Sequence, residues 1–432
     1  MRILLIASNR HNKLMSRMDA RPMPIGLAYV SAYIDRERHS VRTLDLMFSG
    51  EEYLEDVSGL LKEFKPDVVG ISMRNLSNHS YVDPQWQLPI TKAVIEKVRE
   101  HSEATVICGG PAFSILPSEC FNYVEPDFGI VGDAGEAFSE LIDRLEIGEP
   151  SYRDLAGLVY RDNGLTVTND GRCISTFDRT PDLTQLDIAT YNKAGFGVGI
   201  LTKLGGFYYP TSPNSFDDQK SAWRIIRPIS EVIEEVMYME KTYGLRKAFF
   251  IDNCFNVPID HAKDLCRALI QSDVKLHWNT CLAPFGCDDE LLSLMKEAGC
   301  ALVLMGNSGG DVHSGVDLVD MEESLSDTCL MCEKWGLHYT ISQRFGAPGE
   351  TKQTVDNKLE FLKNLNPALV NLRVGVSLMP GTTEAQTALS EGIIAAESDL
   401  ICPTFYIDPE VEPWLVKYLA AEVADNPRWN LF

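Results

Sequence analysis

The sequence lacks the features that would direct it to a membrane or to nucleic acid. None of its apolar runs reaches the length of about 20 residues that a membrane-spanning helix needs. Basic residues are few, because 39 Lys and Arg stand against 62 Asp and Glu, which gives a formal net charge of −23. A surface of that sign repels phosphate backbones and anionic lipids. We therefore expect neither nucleic acid nor a membrane among the partners.

The sequence also predicts neither a signal peptide nor a disulfide framework. Met1–Ala7 has one basic residue and a short apolar run, which predicts a first β-strand. We expect a cytoplasmic protein whose 11 cysteines are reduced. Cys329 and Cys332 form a C-x-x-C pair, yet they recur at helical spacing with Leu325 and Trp335. That spacing favours two core thiols on one buried helix face over a redox or metal pair.

Strands and helices alternate over residues 2–145, and the strands are almost continuously apolar. Such strands are typical of a parallel sheet covered on both faces, and ligands of these sheets bind beyond the strand C-termini. No G-x-G-x-x-G follows the first strand, which argues against a dinucleotide. The alternative to a ligand site is a set of tight glycine turns. The candidate ligand-binding residues at the strand ends are Ser8, Asn9, Ser72, Arg74, Asn75, Gly109, Gly110, Pro111, Gly132, Gly135 and Glu136.

A second α/β repeat begins near residue 196, after a connector at 149–195 that holds a predicted hairpin on the turn at 162–164. Six β/α units are predicted, which is the pattern of a partial barrel. The predicted divisions of the chain are 1–148, 149–195, 196–398 and a C-terminal extension at 399–432. The predicted strands of the second repeat are Gly197–Thr202, Lys247–Asp252, Lys275–Asn279, Ala301–Met305, His338–Gln343 and Val370–Ser377.

Polar side chains alternate along the last two of these strands. Ser342 and Arg344 share one face of the fifth strand, and Asn371 and Arg373 share one face of the sixth. These faces line either a wet pocket or the helix side of the sheet, because the inward parity cannot be obtained from sequence. If they line a pocket, the arginines are candidate clamps for an anion. Asp252, at the end of the second strand, is a further catalytic candidate.

Several segments carry a resemblance to a known family. P-I-G-L-A-Y-V-S-A-Y-I at 24–34, P-D-V-V-G-I-S-M-R-N at 66–75, V-I-C-G-G-P at 106–111 and G-I-V-G-D-A-G-E-A-F at 129–138 resemble the cobalamin (vitamin B12)-binding domain of radical S-adenosylmethionine (SAM) proteins. F-F-I-D-N-C-F-N at 249–256 and F-G-A-P-G-E-T at 345–351 resemble the barrel that follows that domain. The resemblance implies an α/β protein with an N-terminal Rossmann-like cobalamin-binding domain and a partial (β/α)6 TIM-type barrel.

The resemblance also implies how cobalamin would be held. The D-x-H-x-x-G segment, whose histidine ligates cobalt in another cobalamin-binding group, is absent. We therefore expect base-off cobalamin with no protein histidine on cobalt. His79 is the histidine near a strand end that could contradict this, and we interpret it as a loop residue.

The family's cluster-binding loop T-K-x-G-C-P-x-x-C-x-x-C is present without its cysteines. Alignment on Thr202, Lys203 and Gly205 puts the three thiolate positions at Gly206, Pro210 and Pro213. Cluster iron requires thiolate or, in special cases, imidazole ligands. The resemblance therefore implies a chain without a [4Fe–4S] cluster at this loop, and without a 5′-deoxyadenosyl radical.

SAM itself is a doubtful ligand by this comparison. The G-x-E-S-G-like segment occurs as G-N-S-G-G at 306–310 and has lost its acidic residue, whereas G-A-P-G-E at 346–350 is intact but predicts only a turn into a helix. Tyr208 and its neighbour Tyr209 replace residues beside the lost cluster, where they are candidates either to cover the corrin or to fill the vacant cluster space. Tyr208 is also a catalytic candidate.

Three functional hypotheses follow. The first is a cobalamin-dependent transferase without a cluster, acting by methyl transfer or other cobalt-centred chemistry on a small molecule between the two domains. The second is a non-catalytic cobalamin-binding carrier, sensor or partner of an active homologue. The candidate partners are a small-molecule substrate and, as a companion protein, a reductase or an active radical SAM homologue. The third is a cluster held by other cysteines, namely Cys254, Cys281 and Cys287. The first is preferred, and no other metal site is predicted.

Overall fold

Two sheets that are mostly or wholly parallel, each covered by helices, form the body of the protein. The computed structural model describes residues 1–10, 21–148, 152–171, 178–205, 223–252, 254–307 and 318–432. Within these residues, no helix combines the length and the apolar character that crossing a bilayer requires.

The first sheet contains the apolar parallel strands predicted over residues 2–145, together with a hairpin. Its strands are β1 Arg2–Ala7, β2 Ser40–Asp45, β3 Val68–Ser72, β4 Thr105–Gly109, β5 Phe128–Ile130, β6 Leu158–Asp162 and β7 Leu165–Thr168, in the order β2-β1-β3-β4-β5-β6-β7. The strands β1 to β5 are parallel, and β6 and β7 are antiparallel. Its main helices are Ile25–Tyr33, Tyr53–Phe64, Leu88–His101, Pro111–Ile115, Pro117–Val124 and Ala134–Ile147.

Both faces of this sheet are buried, as the continuous apolar strands predict. Along β1, Leu4 and Ile6 belong to one hydrophobic cluster, whereas Ile3 and Leu5 belong to another on the opposite face. The predicted hairpin is also present as β6 and β7. It extends the first sheet through β5, so this part of the connector is part of the N-terminal domain.

The second sheet confirms the six predicted strands and adds one. The remaining strands are β8 Val198–Ile200, β9 Lys203–Gly205, β10 Trp223–Ile226, β11 Lys247–Phe250, β12 His277–Leu282, β13 Cys300–Asn307, β14 His338–Phe345, β15 Leu369–Val374, β16 Val376–Ser377, β17 Phe405–Tyr406 and β18 Trp429–Leu431. The sheet order is β18-β15-β14-β13-β12-β11-β8, with all neighbours parallel. The seventh strand, β18, comes from the residues predicted to be a C-terminal extension. The helices of this part are Ile188–Tyr191, Ile229–Tyr243, Ile259–Gln271, Asp289–Glu297, Leu318–Trp335, Lys352–Lys363, Thr383–Ser390 and Glu412–Asp425.

The C-terminal third of the chain joins the two domains. Leu378 and Leu400 lie in the same hydrophobic cluster as Leu4 of β1. The indole Nε1 of Trp86 donates to the carbonyl of Ile401 at 2.9 Å. Residues that the sequence assigned to the end of the barrel and to the C-terminal extension therefore pack on the N-terminal domain, because their apolar side chains complete its core.

Candidate functional site

The predicted ligand-binding residues of the first domain lie together at the C-terminal edge of the first sheet, but several are occupied by internal contacts. Ser8 is buried, its hydroxyl donates to the carbonyl of Ser72 at 3.1 Å, and it accepts from Thr91 at 3.0 Å. The side-chain oxygen of Asn9 accepts from the backbone N–H of Arg74 at 3.4 Å. These contacts fix the strand ends, while the exposed Arg74 and half-buried Asn75 remain at the surface of the edge.

The structure explains, by a different contact in each case, why glycine occupies several positions at this edge. Gly110 has φ +100°, and a Cβ there would lie 2.6 Å from the carbonyl oxygen of Met73. A side chain at Gly135 would lie 2.3 Å from the Tyr33 ring, so this glycine lets the helix Ala134–Ile147 pack closely. Gly132 also has positive φ, and its N–H donates to the Ser114 hydroxyl at 3.1 Å. Gly109, Pro111 and Glu136 flank these turns.

His79 links the edge of the first sheet to the second. It follows β3, has φ +51°, and its Nδ1 lies 3.2 Å from the hydroxyl of Ser377 in β16. Burial, together with the charges of Arg373 and Arg74, lowers the pKa of His79 to about 4. The imidazole is therefore neutral near pH 7 and lies where guanidinium groups of both domains converge.

The structure settles which face of the second sheet is polar. On β14, Ile341 and Phe345 share a hydrophobic cluster with Leu359 of the helix Lys352–Lys363. Since side chains alternate along a strand, Thr340, Ser342 and Arg344 lie on the face away from that helix. On β15, Val370, Leu372 and Val374 pack in the same cluster, which puts Asn371 and Arg373 on the open face as well. The pocket interpretation of these residues is therefore consistent with the packing.

The two arginines are adjacent on this open face. Arg344 and Arg373 are in register on neighbouring parallel strands, whose spacing is about 4.8 Å. Both are half-buried and lie next to the C-terminal ends of their strands. Within the described part of the chain, the Arg344 guanidinium has no carboxylate within ion-pair distance. Arg344 can therefore present positive charge to a ligand at this end of the sheet, whereas Arg373 already takes part in an interaction within the structure.

Asp252 lies in a buried ion-pair site at the ends of β8 and β11. Its carboxylate accepts from the N–H of Thr202 at 3.0 Å and from the Thr202 hydroxyl, and it lies 3.7 Å from Nζ of Lys203. Lys203 also donates to the carbonyl of Phe255 at 2.8 Å. Burial lowers the pKa of Lys203, although Asp252 opposes this shift. These contacts make Asp252 a structural anchor for the start of β9, and its catalytic role stays a prediction.

The predicted alternative cysteines do not form a compact ligand group among the described residues. There, a group of three or more potential ligands with atoms within 4.8 Å occurs at His39, Asp143 and Glu146, but not at the predicted alternative cysteines. Cys329 and Cys332 are fully buried in the hydrophobic cluster, which confirms their interpretation as core thiols. The alternative cysteines, whose pKa values burial raises to about 12, are Cys254, Cys281 and Cys287.

The remaining family segments are only partly described. The aligned cluster positions and Tyr208 fall at 206–222, and part of the G-N-S-G-G segment falls at 308–317, outside the described residues. The intact G-A-P-G-E segment is described and forms the predicted turn. Glu350 accepts from the N–H groups of Gly346 and Ala347 and pairs with Lys358, just before the helix Lys352–Lys363.

Sequence reasoning identified one residue of this region and missed another. The interpretation of His79 as a satisfied or solvated loop histidine is confirmed, since it lies in the loop after β3 with its Nδ1 against Ser377, although no signal in the sequence indicated that partner. Lys203 was used for alignment alone, and the T-K pair gave no sign that its ammonium would be buried against Asp252.

Comparisons with known proteins show which family model and which relatives this chain resembles. Residues 14–142 match the family model of the B12 binding domain. An uncharacterised methyltransferase of Pyrococcus horikoshii is 25% identical, over 91% of this chain and 84% of the relative. Tryptophan 2-C-methyltransferase of Streptomyces laurentii is 23% identical, over 83% of this chain and 70% of the relative.

Solved structures show the same fold. The radical SAM methyltransferase TsrM from Kitasatospora setae, with cobalamin and a [4Fe–4S] cluster bound, superposes with a TM-score of 0.79 at 19% identity, over 100% of this chain and 91% of that one. The cobalamin-dependent radical SAM enzyme OxsB, with aqua-cobalamin and SAM bound, gives a TM-score of 0.71 at 12% identity, over 98% of this chain and 67% of that one.

Proposed function

We propose that this chain, a B12-binding member of the radical SAM superfamily by fold, is a cobalamin-dependent methyltransferase that acts on a small molecule between its two sheets. The observation that carries the proposal is the contact of His79 with Ser377 and its proximity to Arg373. This contact puts the candidate ligand-binding edge of the first domain against the C-terminal end of β15 and against β16. Similarity to proteins named methyltransferases supports the reaction class.

The residues at the first edge fit cobalamin in chemistry. Cobalamin carries amide side arms and a phosphate, and this edge offers a guanidinium at Arg74, an amide at Asn75 and side-chain-free backbone at Gly109 and Gly110. Ser8 and Ser72 would support these groups from behind, since their hydrogen bonds are internal. When bound, cobalamin supplies a cobalt centre that can accept and donate a methyl group.

The residues at the aligned cluster positions do not fit iron. Glycine and proline have no ligand atom for a cluster, and those positions are Gly206, Pro210 and Pro213. We therefore propose that methyl transfer here proceeds without a cluster and without SAM cleavage to a radical. The net reaction is then polar: a sulfonium donor such as SAM loses a methyl cation and becomes a neutral thioether, and the substrate nucleophile gains the methyl group and releases a proton.

Supply of SAM to cobalamin-loaded protein under reducing conditions tests this proposal. We expect S-adenosylhomocysteine to form with no 5′-deoxyadenosine. Formation of 5′-deoxyadenosine would contradict the polar reaction. Tight cobalamin binding without turnover of SAM or another methyl donor would favour the carrier function instead.

The most useful control removes cobalamin and leaves the protein intact. Protein purified from cells grown without cobalamin should form no S-adenosylhomocysteine, and addition of cobalamin should restore the reaction. Equal turnover with and without cobalamin would show that the activity does not depend on this cofactor.

A further inference from the structure

The open face of the second sheet carries a contiguous group of small and uncharged polar residues. Ser342 of β14 is in register with Gly306 of β13 on one side and with Asn371 of β15 on the other. Thr340 lies two residues before Ser342 and therefore on the same face. Neighbouring strands lie about 4.8 Å apart, so these four residues, here called the polar row, adjoin one another.

The polar row is largely buried, yet much of its hydrogen-bonding capacity is unused. Asn371 is 5% exposed and Thr340 is 9% exposed. The Oδ1 of Asn371 accepts from the Nδ2 of Asn430 at 3.4 Å, but within the described ranges the Nδ2 of Asn371 and the hydroxyls of Thr340 and Ser342 have no hydrogen-bond partner. None of these three atoms is sealed from solvent, so each can be reached by a ligand. Because buried polar groups are normally hydrogen-bonded, the row is complementary to a polar ligand.

Space for a ligand group lies beside these atoms, at Gly306. A Cβ at this position would meet no described atom within 4 Å. Gly306 does not have positive φ, so the backbone conformation does not require a glycine there. Leu302 and Leu304 precede it on the same face of β13. The absence of a side chain at Gly306 therefore leaves room next to Ser342.

The rest of the open face is mixed, with neutral polar groups set between apolar ones. Asn279 of β12 is 7% exposed and is in register with Phe249 of β11 and Leu302 of β13. Leu304 of β13 is in register with Thr340 of the polar row. The face therefore offers uncharged polar groups with apolar neighbours, which suits a neutral organic molecule better than an ion.

We propose that the polar row binds an uncharged amide group of the methyl acceptor, as found in a carboxamide or a ring lactam. Such a group presents a carbonyl acceptor and an N–H donor on adjacent atoms. The Nδ2 of Asn371 donates to that carbonyl, the hydroxyls of Ser342 and Thr340 accept from the N–H, and Gly306 leaves room for the planar group. The inference rests on the proposed function, for which it names the chemistry of the substrate.

The charges around the polar row separate an amide from a carboxylate. The row itself holds no charged group, and the arginine of β14, Arg344, lies two residues nearer the strand end than Ser342. A carboxylate buried against uncharged groups loses its hydration without a counter-charge, whereas a neutral amide loses much less. The net charge of −23 gives an average field that further disfavours an anion. Arg373 has no part in the proposal, because it already has a partner within the structure.

Three probes of nearly the same shape test the assignment on cobalamin-loaded, full-length protein, with dissociation constants measured by ligand-observed NMR. Benzamide has both a carbonyl acceptor and N–H donors, acetophenone has the carbonyl alone, and benzoate carries an anion in place of the amide. We expect benzamide to bind about tenfold more tightly than acetophenone, because acetophenone leaves the two hydroxyls without a donor. Benzoate should bind no more tightly than acetophenone, since the row supplies no charge for it.

Substitutions in the polar row then locate the binding. Asn371→Ala and Ser342→Ala should each weaken benzamide binding by about five- to tenfold, and Ser342→Thr, which keeps the hydroxyl, should retain most of it. Gly306→Val should weaken binding of all three probes, since its side chain takes the open space. Asn122→Ala is the matched control, because Asn122 is exposed and accepts from Thr166 in the first domain.

Each outcome decides the proposal. Equal affinity for the three probes, tightest binding of benzoate, no measurable binding of any probe, or equal loss in Ser342→Ala and Asn122→Ala would overturn it. An unchanged melting temperature shows that a variant is folded, and Ser342→Ala with Ser342→Thr carries the test if Asn371→Ala does not fold. The probes require no turnover, so absence of methyl transfer together with selective benzamide binding would count against the proposed reaction and not against this site.

Discussion

The buried ion pair between Lys203 and Asp252 allows a quantitative test of the structure. Both side chains are at most 1% exposed, and their charged atoms lie 3.7 Å apart. Asp252→Asn keeps the shape of the side chain but removes the carboxylate that faces the ammonium. Breaking a buried pair from one side costs about 3–5 kcal/mol, because the remaining charge stays in a poorly solvated site.

The free energy of unfolding from urea denaturation, followed by circular dichroism, measures this cost. The matched control is Asp273→Asn, since Asp273 and Lys275 form an ion pair with 85% and 78% exposed side chains. That exposed pair should contribute no more than about 1 kcal/mol. The double variant Lys203→Met/Asp252→Asn removes both charges and should be more stable than Asp252→Asn alone.

Two results would refute the reasoning. If Asp252→Asn destabilised the protein no more than Asp273→Asn, the pair would not be a buried anchor. If the double variant were less stable than Asp252→Asn alone, an unpaired buried charge would not be the source of the cost.

Three further predictions concern His79, Gly110 and the cysteines. Because the pKa of His79 is lowered in the folded protein, the unfolded chain binds more protons between about pH 4 and 6.5. The contribution of His79 to stability is therefore complete above about pH 6.5 and falls by up to about 3 kcal/mol toward pH 4. His79→Gln should flatten that part of the stability profile, and an unchanged slope in this variant would contradict the prediction. Gly110→Ala should destabilise the protein by more than about 2 kcal/mol, because Gly110 has positive φ and an added Cβ would contact Met73. Gly59→Ala, at an open helix position, should be neutral or stabilising. Equal changes in the free energy of unfolding for the two variants would argue against the strained turn. Iron content should be at background and unchanged on serine substitution of Cys254, Cys281 and Cys287, and iron lost on that substitution would support an alternative cluster.

Most of the two-sheet architecture could be predicted from the sequence, because buried parallel strands give long apolar runs. The short strand Trp429–Leu431 was missed, since three residues after a helix carry no period. The hairpin was found but assigned to a connector, because its pairing with β5 is a long-range contact.

The candidate site was less predictable. The alternation of Arg344 and Arg373 was visible, but only the helix contacts of Ile341 and Val374 show which face is open. The position of His79 depends on the packing of residues 376–406 against the first domain, and local sequence does not encode it.

The measurement that tests the central claim most directly is the cobalt and iron content, with the visible spectrum, of protein purified from cells supplied with cobalamin. The account predicts about one cobalt per chain, a base-off spectrum and no iron. Iron and sulfide at cluster stoichiometry would contradict the claim of a cluster-free cobalamin enzyme.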